Sequence, residues 1–327
     1  MGELRTAFWN VSNLFEPGTC HRGPRTVAEL DAKVEVVASV ARSLFGGEGP
    51  DLLGLAEVGT ERITDAIRSR LDGEYVAAWV GPGMDDETGL GILARASVVA
   101  QVKLVAQYRP RMMARPRAAI LRCTLRSASE PFLLAINHWK SRAAQRGTDD
   151  GADRIETARW LGSHLATSPR VTCVLVFGDF NAEPFEPPFS ETGLRGVRFF
   201  SSALWARATP AYVYNTAWRF LCEPDYWEEA RRPGYQEPRP KTTHDSLPPV
   251  VFDQLLVSGR ALRGGVLTLR ERTVRYHCDE ITATRVPGTG RLHPARWQYD
   301  EATGFSSGAS DHFPLVAVFD VTGGEQR

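Results

Sequence analysis

The strongest constraint on the fold is a series of short apolar runs, several of which close on a polar residue able to hold a metal ion or a phosphate. Residues 4–11, 51–58, Tyr75–Val80, 90–95, 98–108, Ala118–Leu125, Phe132–His138, 171–177, 250–258 and 315–319 are short, rich in β-branched and aromatic side chains, and read as strands. Between the first two, Val27, Leu30, Val34, Val37, Ala41 and Leu44 recur at three- and four-residue spacing, which predicts a helix with one buried face. A second helix is predicted over 61–71. A third is predicted over 153–165, where Ile155, Ala158, Leu161 and Leu165 share a side. Many strands and few helices, mixing hairpin-like with β-α-β order, predict an α+β protein of two packed sheets with helices outside.

A chain of 327 residues with 43% hydrophobic composition can bury a sizeable core. No repeat or linker divides it, so one domain over 1–327 is expected. Two stretches, 183–249 and 275–308, carry proline, glycine and turn formers and read as long insertions on the scaffold. The 39 basic and 39 acidic residues balance, which excludes a protein wrapped in nucleic acid by bulk charge; such a substrate needs a local basic groove. Five scattered cysteines (Cys20, Cys123, Cys173, Cys222, Cys278) form no C-x-x-C pair, and Cys123 and Cys173 sit in apolar runs. With no signal-like N-terminus and no membrane-length apolar run, a cytoplasmic location without membrane attachment is expected. No obligate protein partner is deducible.

The polar residues at the strand ends carry the chemistry. Asn10 ends the first strand, Glu57 the second, and Asn137-His138 the Phe132 strand; Asp179 and Asn181 follow the 171–177 run, and Asp311-His312 precede the last strand. Strand ends gathered at one edge converge on one cleft. Each residue alone also fits a plainer role: Glu57 a solvated carboxylate, His138 a satisfied core histidine, Asp179 with Asn181 an Asx-turn, Asp311 a turn cap. Asp253 differs, because a carboxylate inside an apolar strand is costly without a partner.

In this order the set resembles the endonuclease/exonuclease/phosphatase (DNase I-like) superfamily: Trp9-Asn10-Val11, Leu55-Ala56-Glu57, Asn137-His138, Gly178-Asp179-Phe180-Asn181, Phe252-Asp253-Gln254 and Ser310-Asp311-His312. Asn10 to Phe15 and Asn137 to Arg142 are most similar to its bacterial nuclease-like branch. The resemblance implies a four-layer α/β/β/α sandwich of two mixed β-sheets, and a Mg²⁺-dependent phosphodiester hydrolase acting on DNA or RNA. Hydrolysing a phosphodiester requires charge on the non-bridging oxygens, a base for water and a partner for the leaving oxygen. Mg²⁺, for which Mn²⁺ can substitute, takes oxygen ligands and keeps several waters. By the resemblance Glu57 leads its ligands, with Asn10 and Asp311. Asp179 orients or deprotonates water, Asn181 bonds the phosphoryl oxygens, His312 pairs with Asp253, and His138 donates to the phosphate or leaving oxygen. The superfamily often has an acid where this chain has Ser12, which puts a second metal in doubt.

Substrate binding is assigned to Lys140 and Arg142, which follow His138, and to Arg115, which resembles a phosphate-contacting arginine of the superfamily; Arg109, Arg111 and Arg117 read as surface charges. Tyr212, Tyr214, Asn215, Trp218 and Arg219 form either a stacking surface or a hydrophobic plug. Two other functions compete: a phosphatase or phosphodiesterase of lipid head groups or inositol phosphates on the same scaffold, and a non-catalytic nucleic-acid-binding module.

Overall fold

The computed structural model describes residues 2–81, 88–110, 115–142, 151–169, 172–205, 211–222, 250–285 and 292–322. Arg111 and residues 206–210 and 223–249 of the first insertion lie outside them.

The elements that build the scaffold run in order β1 (Gly2–Leu14), α1 (Val27–Ser43), β2 (Leu52–Val58), α2 (Glu61–Arg68), β3 (Tyr75–Val80), β4 (Gly89–Arg95), β5 (Val99–Tyr108), β6 (Ala118–Leu125), β7 (Phe132–His138), α3 (Ala152–Ala166), β8 (Val174–Asp179), β9 (Arg195–Val197), β10 (Tyr212–Asn215), β11 (Asp253–Ser258), β12 (Leu267–Leu269), β13 (Arg275–Tyr276), β14 (Ala283–Arg285), β15 (Leu292–Pro294), β16 (Gln298–Asp300), β17 (Phe305–Ser307) and β18 (Leu315–Val321). Two mixed sheets result. One has the order β12-β18-β1-β2-β4-β3, with β13 also paired to β18; the other has the order β5-β6-β7-β8-β11-β10-β9. Their inner faces interdigitate Phe8, Ile92, Leu121, Phe132, Phe177, Leu255 and Phe319, all buried. Each such side chain contributes roughly 1.5–3 kcal/mol by leaving water. Val34, Val37 and Ala41 of α1 and Ile63 and Ile67 of α2 close the outer face of the first sheet. Ala158, Leu161 and Leu165 of α3 close that of the second. The predicted sandwich of two mixed sheets flanked by helices is the observed one.

The helix starts are sequence-encoded. Thr26 and Thr60 accept hydrogen bonds from the amides of Glu29 and Ile63, both at 3.2 Å, capping α1 and α2. The departures from expectation lie elsewhere. β1 runs on to Leu14 through left-handed residues. Part of the 183–249 stretch is sheet: β9 and β10 extend the second sheet, with Val213 opposite Ser258. In 275–308, β13 joins the first sheet, and β14–β15 and β16–β17 form small hairpins. Strands of two to four residues are too short to carry an alternation, so only tertiary pairing reveals them. Among the described residues no helix is long and apolar enough to cross a membrane.

Candidate active site

Both sheets present strand ends at one edge, and the first contributes through backbone that is locally strained. Asn10 and Glu57 sit on the parallel pair β1–β2, whose register breaks between Asn10 and Leu14. Three non-glycine residues here have left-handed backbone: Ser12 (φ 53°), Asn13 (φ 54°) and Glu57 (φ 61°). Such conformations cost about 1–2 kcal/mol per residue and persist only where surrounding contacts over-determine them. Those contacts are present. The Asn13 amide donates to Glu57 Oε2 at 2.6 Å and the Ser12 amide to Asn10 Oδ1 at 3.0 Å. Asn10 Nδ2 in turn donates to Glu57 Oε1 at 3.2 Å and, across to the second sheet, to Asp179 Oδ2 at 3.1 Å.

The second sheet fixes its residues by register. Asn137 lies opposite Gly178 and His138 opposite Asp179 in the parallel pair β7–β8, while Asp253 lies opposite Asp179 in the antiparallel pair β8–β11. Gly178 allows this approach: a Cβ there would stand 2.5 Å from Asn137 Cβ and 2.7 Å from its carbonyl oxygen. Beyond β8 the chain turns sharply. Asn181 (φ 46°) donates its amide to Asp179 Oδ1 at 3.0 Å and its Nδ2 to the Trp139 carbonyl at 3.1 Å. The Asx-turn is therefore real, and it also orients Asp179.

Around Asp179 Oδ2 the polar groups converge. Besides Asn10, His138 Nε2 lies 4.0 Å away and His312 Nε2 3.9 Å away. His138 Nε2 is also 3.4 Å from Glu57 Oε1, and His312 Nε2 is 3.9 Å from Asp311 Oδ1. The buried carboxylate of Asp253 meets His312 Nδ1 at 2.7 Å, and its carbonyl accepts the Tyr276 hydroxyl at 2.8 Å. The His312 loop is held by Ser310, whose hydroxyl donates to the Asn10 carbonyl at 2.7 Å, and by Trp9, whose indole donates to the His312 carbonyl at 2.9 Å.

Both imidazoles are buried, yet they titrate in opposite directions. Burial pushes His138 below the usual histidine range, against the pull of Glu57 and Asp179. Burial acts the same way on His312, but the charge and hydrogen bond of Asp253, with Asp179 and Asp311 behind it, carry that ring well above its usual value. The two rings near Asp179 are thus biased oppositely, His138 towards its neutral form and His312 towards its charged one.

Two residues that the sequence did not single out belong here. Lys33 of α1 is buried, donates to the Ser12 carbonyl, and feels the charges of Glu57 and Asp311; burial lowers it to about 8. Arg117 corrects an expectation: it is no surface charge but a buried residue, 3.5 Å from the His138 carbonyl. A cation in an amphipathic helix, or one leading a strand, resembles any solvated charge until packing is known.

The expected substrate residues are differently placed. Arg115 is exposed. Lys140 is ion-paired with Asp153, and Arg142 pairs with Glu186 while donating to the Asn181 carbonyl at 2.9 Å, so a phosphate would have to share these cations with carboxylates. The 212–219 stretch turns largely inward. Asn215 Nδ2 donates to Gln254 Oε1 at 2.7 Å, Arg219 donates to the Glu271 carbonyl at 3.0 Å, and Val213 and Ala217 are buried, which favours the plug over the stacking surface.

Among the described residues no three carboxylate, imidazole or thiol side chains form a ready-made metal cage. Glu57 and Asp311 are instead two partly exposed carboxylates that both act on Lys33. Hard oxygens on an open edge fit a cation that retains most of its water.

A model of the Endonuclease/Exonuclease/phosphatase family matches residues 7–312. Among solved structures, TDP2 of D. rerio complexed with a single-strand DNA product is similar at 17% identity and TM-score 0.55, over 98% of this chain and 100% of that one. An endonuclease/exonuclease/phosphatase family protein of Bacteroides thetaiotaomicron is similar at 14% identity and TM-score 0.59, over 97% of each chain. A mannosyl-6-phosphatase of the same organism is similar at 14% identity and TM-score 0.58, over 98% of this chain and 99% of that one. Such low identities establish a shared fold. No curated protein sequence matches the chain.

Proposed function

The chain belongs to the endonuclease/exonuclease/phosphatase family, a family of phosphoester hydrolases, and from that premise we propose that it is a single-domain Mg²⁺-dependent phosphodiesterase, a nuclease that cleaves DNA or RNA by in-line attack of water. The observation that carries the reading is the convergence of Asn10, His138 and His312 on one oxygen of Asp179, at 3.1, 4.0 and 3.9 Å.

Asp179 is the group that orients or deprotonates the water. Asn10 donates to one of its oxygens and the Asn181 amide to the other, which fixes the plane of the carboxylate against the nucleophile. His312, kept cationic by Asp253, stabilises the charge that builds on the phosphoryl oxygens. His138, kept neutral by burial, offers a hydrogen bond to the leaving oxygen. Asn181 supplies a further donor to the phosphoryl group once its bond to the Trp139 carbonyl is exchanged. Glu57 and Asp311, with Asn10 restraining Glu57, would hold the divalent ion, which when bound supplies positive charge to the non-bridging oxygens. Arg115, Lys140 and Arg142 are the candidates for neighbouring phosphates.

A second reading, a phosphatase of phosphorylated sugars, inositols or lipid head groups, draws on the similarity to the mannosyl-6-phosphatase. One experiment separates the two: turnover of plasmid DNA, single-stranded DNA, RNA and a panel of phosphomonoesters, with Mg²⁺ and with EDTA, by the native chain and Asp179→Ala. The nuclease reading expects nucleic acid to be cleaved, EDTA to abolish cleavage, and the variant to lose about 10²–10⁴-fold in rate with its fold intact. Turnover confined to monoesters selects the second reading. An Asp179→Ala protein as active as the native one overturns both.

A further inference from the structure

Lys33 has no part in the mechanism above, yet it is a buried cation at the edge of the candidate site. Its ammonium donates to the Ser12 carbonyl and lies 5.1 Å from the centre of the Trp297 ring. Residues 12 and 13 are the two left-handed positions just before β1 ends at Leu14. Their amides hold Asn10 Oδ1 and Glu57 Oε2. A continuous chain of contacts therefore runs from Trp297, on the segment between β15 and β16, through Lys33 and residues 12–13 to Glu57, one of the two carboxylates that would hold the divalent ion, and to Asn10, which restrains it.

We propose that Lys33 is a positioning residue: its ammonium, seated under Trp297, clamps the Ser12–Asn13 turn and so sets the orientation of Glu57 and Asn10 for divalent-cation binding. The inference deepens the function proposed above and rests on it. It also gives the 275–308 segment a task, since Trp297 covers the clamp. Gly308 (φ 65°) lets that segment fold back on itself beside Trp297, because a Cβ there would stand 2.2 Å from the Arg296 carbonyl oxygen.

Electrostatics makes the proposal discriminating. An ammonium near Glu57 and Asp311 repels an incoming cation, so deleting its charge alone tightens metal binding. A clamp predicts the opposite. Near-isosteric Lys33→Met removes donor and charge, while Lys33→Arg retains both. Mn²⁺ affinity, measured by electron paramagnetic resonance on the full chain without substrate, is expected to fall by about 10-fold or more in Lys33→Met and to be largely restored in Lys33→Arg. Amide hydrogen exchange at Ser12 and Asn13 in the metal-free protein is expected to speed up in Lys33→Met alone. Unchanged or tighter Mn²⁺ binding in Lys33→Met overturns the proposal, as does unchanged exchange at residues 12 and 13, even where thermal stability drops. A native chain that binds no Mn²⁺ instead overturns the metal-dependent function itself, a result read before any variant is made.

Discussion

The two sheets deliver their halves of the site by opposite physical means. The first presents Asn10 and Glu57 from a broken register, on backbone with left-handed φ at Ser12, Asn13 and Glu57. The second presents His138, Asp179 and Asp253 from an unbroken register of three neighbouring strands, with side chains almost wholly buried. The half assigned to the cation is thus strained and partly open, and the half assigned to proton chemistry is rigid and desolvated. The difference matches the two tasks. A hydrated cation needs reachable oxygens, whereas imidazoles are split into neutral and charged forms only by burial against fixed carboxylates.

That contrast predicts that substitutions in the second half destabilise strongly and those in the first do so weakly or not at all. The largest effect is expected for Asp253→Ala, which leaves His312 buried without its partner. Chemical denaturation in EDTA should show a loss of about 3–5 kcal/mol at acidic to neutral pH. The effect has a pH signature. Because the folded value of His312 is raised, the stabilisation by the pair is fully present below the unfolded histidine value of about 6.5 and is lost as pH rises through the elevated folded value. The gap between native chain and variant should therefore be widest in mild acid and close in alkali. A gap that does not change with pH rejects the charged assignment of His312.

An intermediate effect is expected at Gly178. Its added Cβ would meet the β-carbon and carbonyl of Asn137, which cannot swing aside. Gly178→Ala should lose about 1–3 kcal/mol and lower the hydrolytic rate as well, because β7 and β8 must part at His138 and Asp179. Full stability in this variant would show the register to be looser than the contact implies.

The smallest effect is expected in the first half and has the opposite sign. Ser12 pays a left-handed penalty of about 1–2 kcal/mol that glycine escapes, offset by about 0.5–1 kcal/mol of extra chain entropy in the unfolded state. Among the described residues its hydroxyl accepts only a long 3.4 Å hydrogen bond from Asn13. Ser12→Gly should therefore raise the melting temperature slightly, and a clear drop would show that the turn is not strained.

How much of this was legible beforehand follows from the same contrast. Residues ending long apolar strands could be read in order, because a run such as Phe132–His138 announces both its conformation and its terminus. Asp253 could be seen to need a partner because burial of a carboxylate demands one. Arg117 and Lys33, both buried, are indistinguishable from solvated charges in the sequence, because one cation in a periodic pattern looks like another until the surrounding packing is known. The 183–249 and 275–308 stretches looked irregular because strands such as β9, β13 and β16 are too short to show alternation.

By itself the sequence determined the longer strands, the three long helices, the expectation of two packed sheets and the identity of the polar strand ends, since apolar periodicity and the solvation of charge are local properties. Only tertiary structure decided which strand ends meet at Asp179, which imidazole is driven towards its neutral form, and which cation is buried beneath the site. Those outcomes depend on register, on distances of a few ångströms between segments remote in the chain, and on exclusion of water, none of which a linear pattern contains.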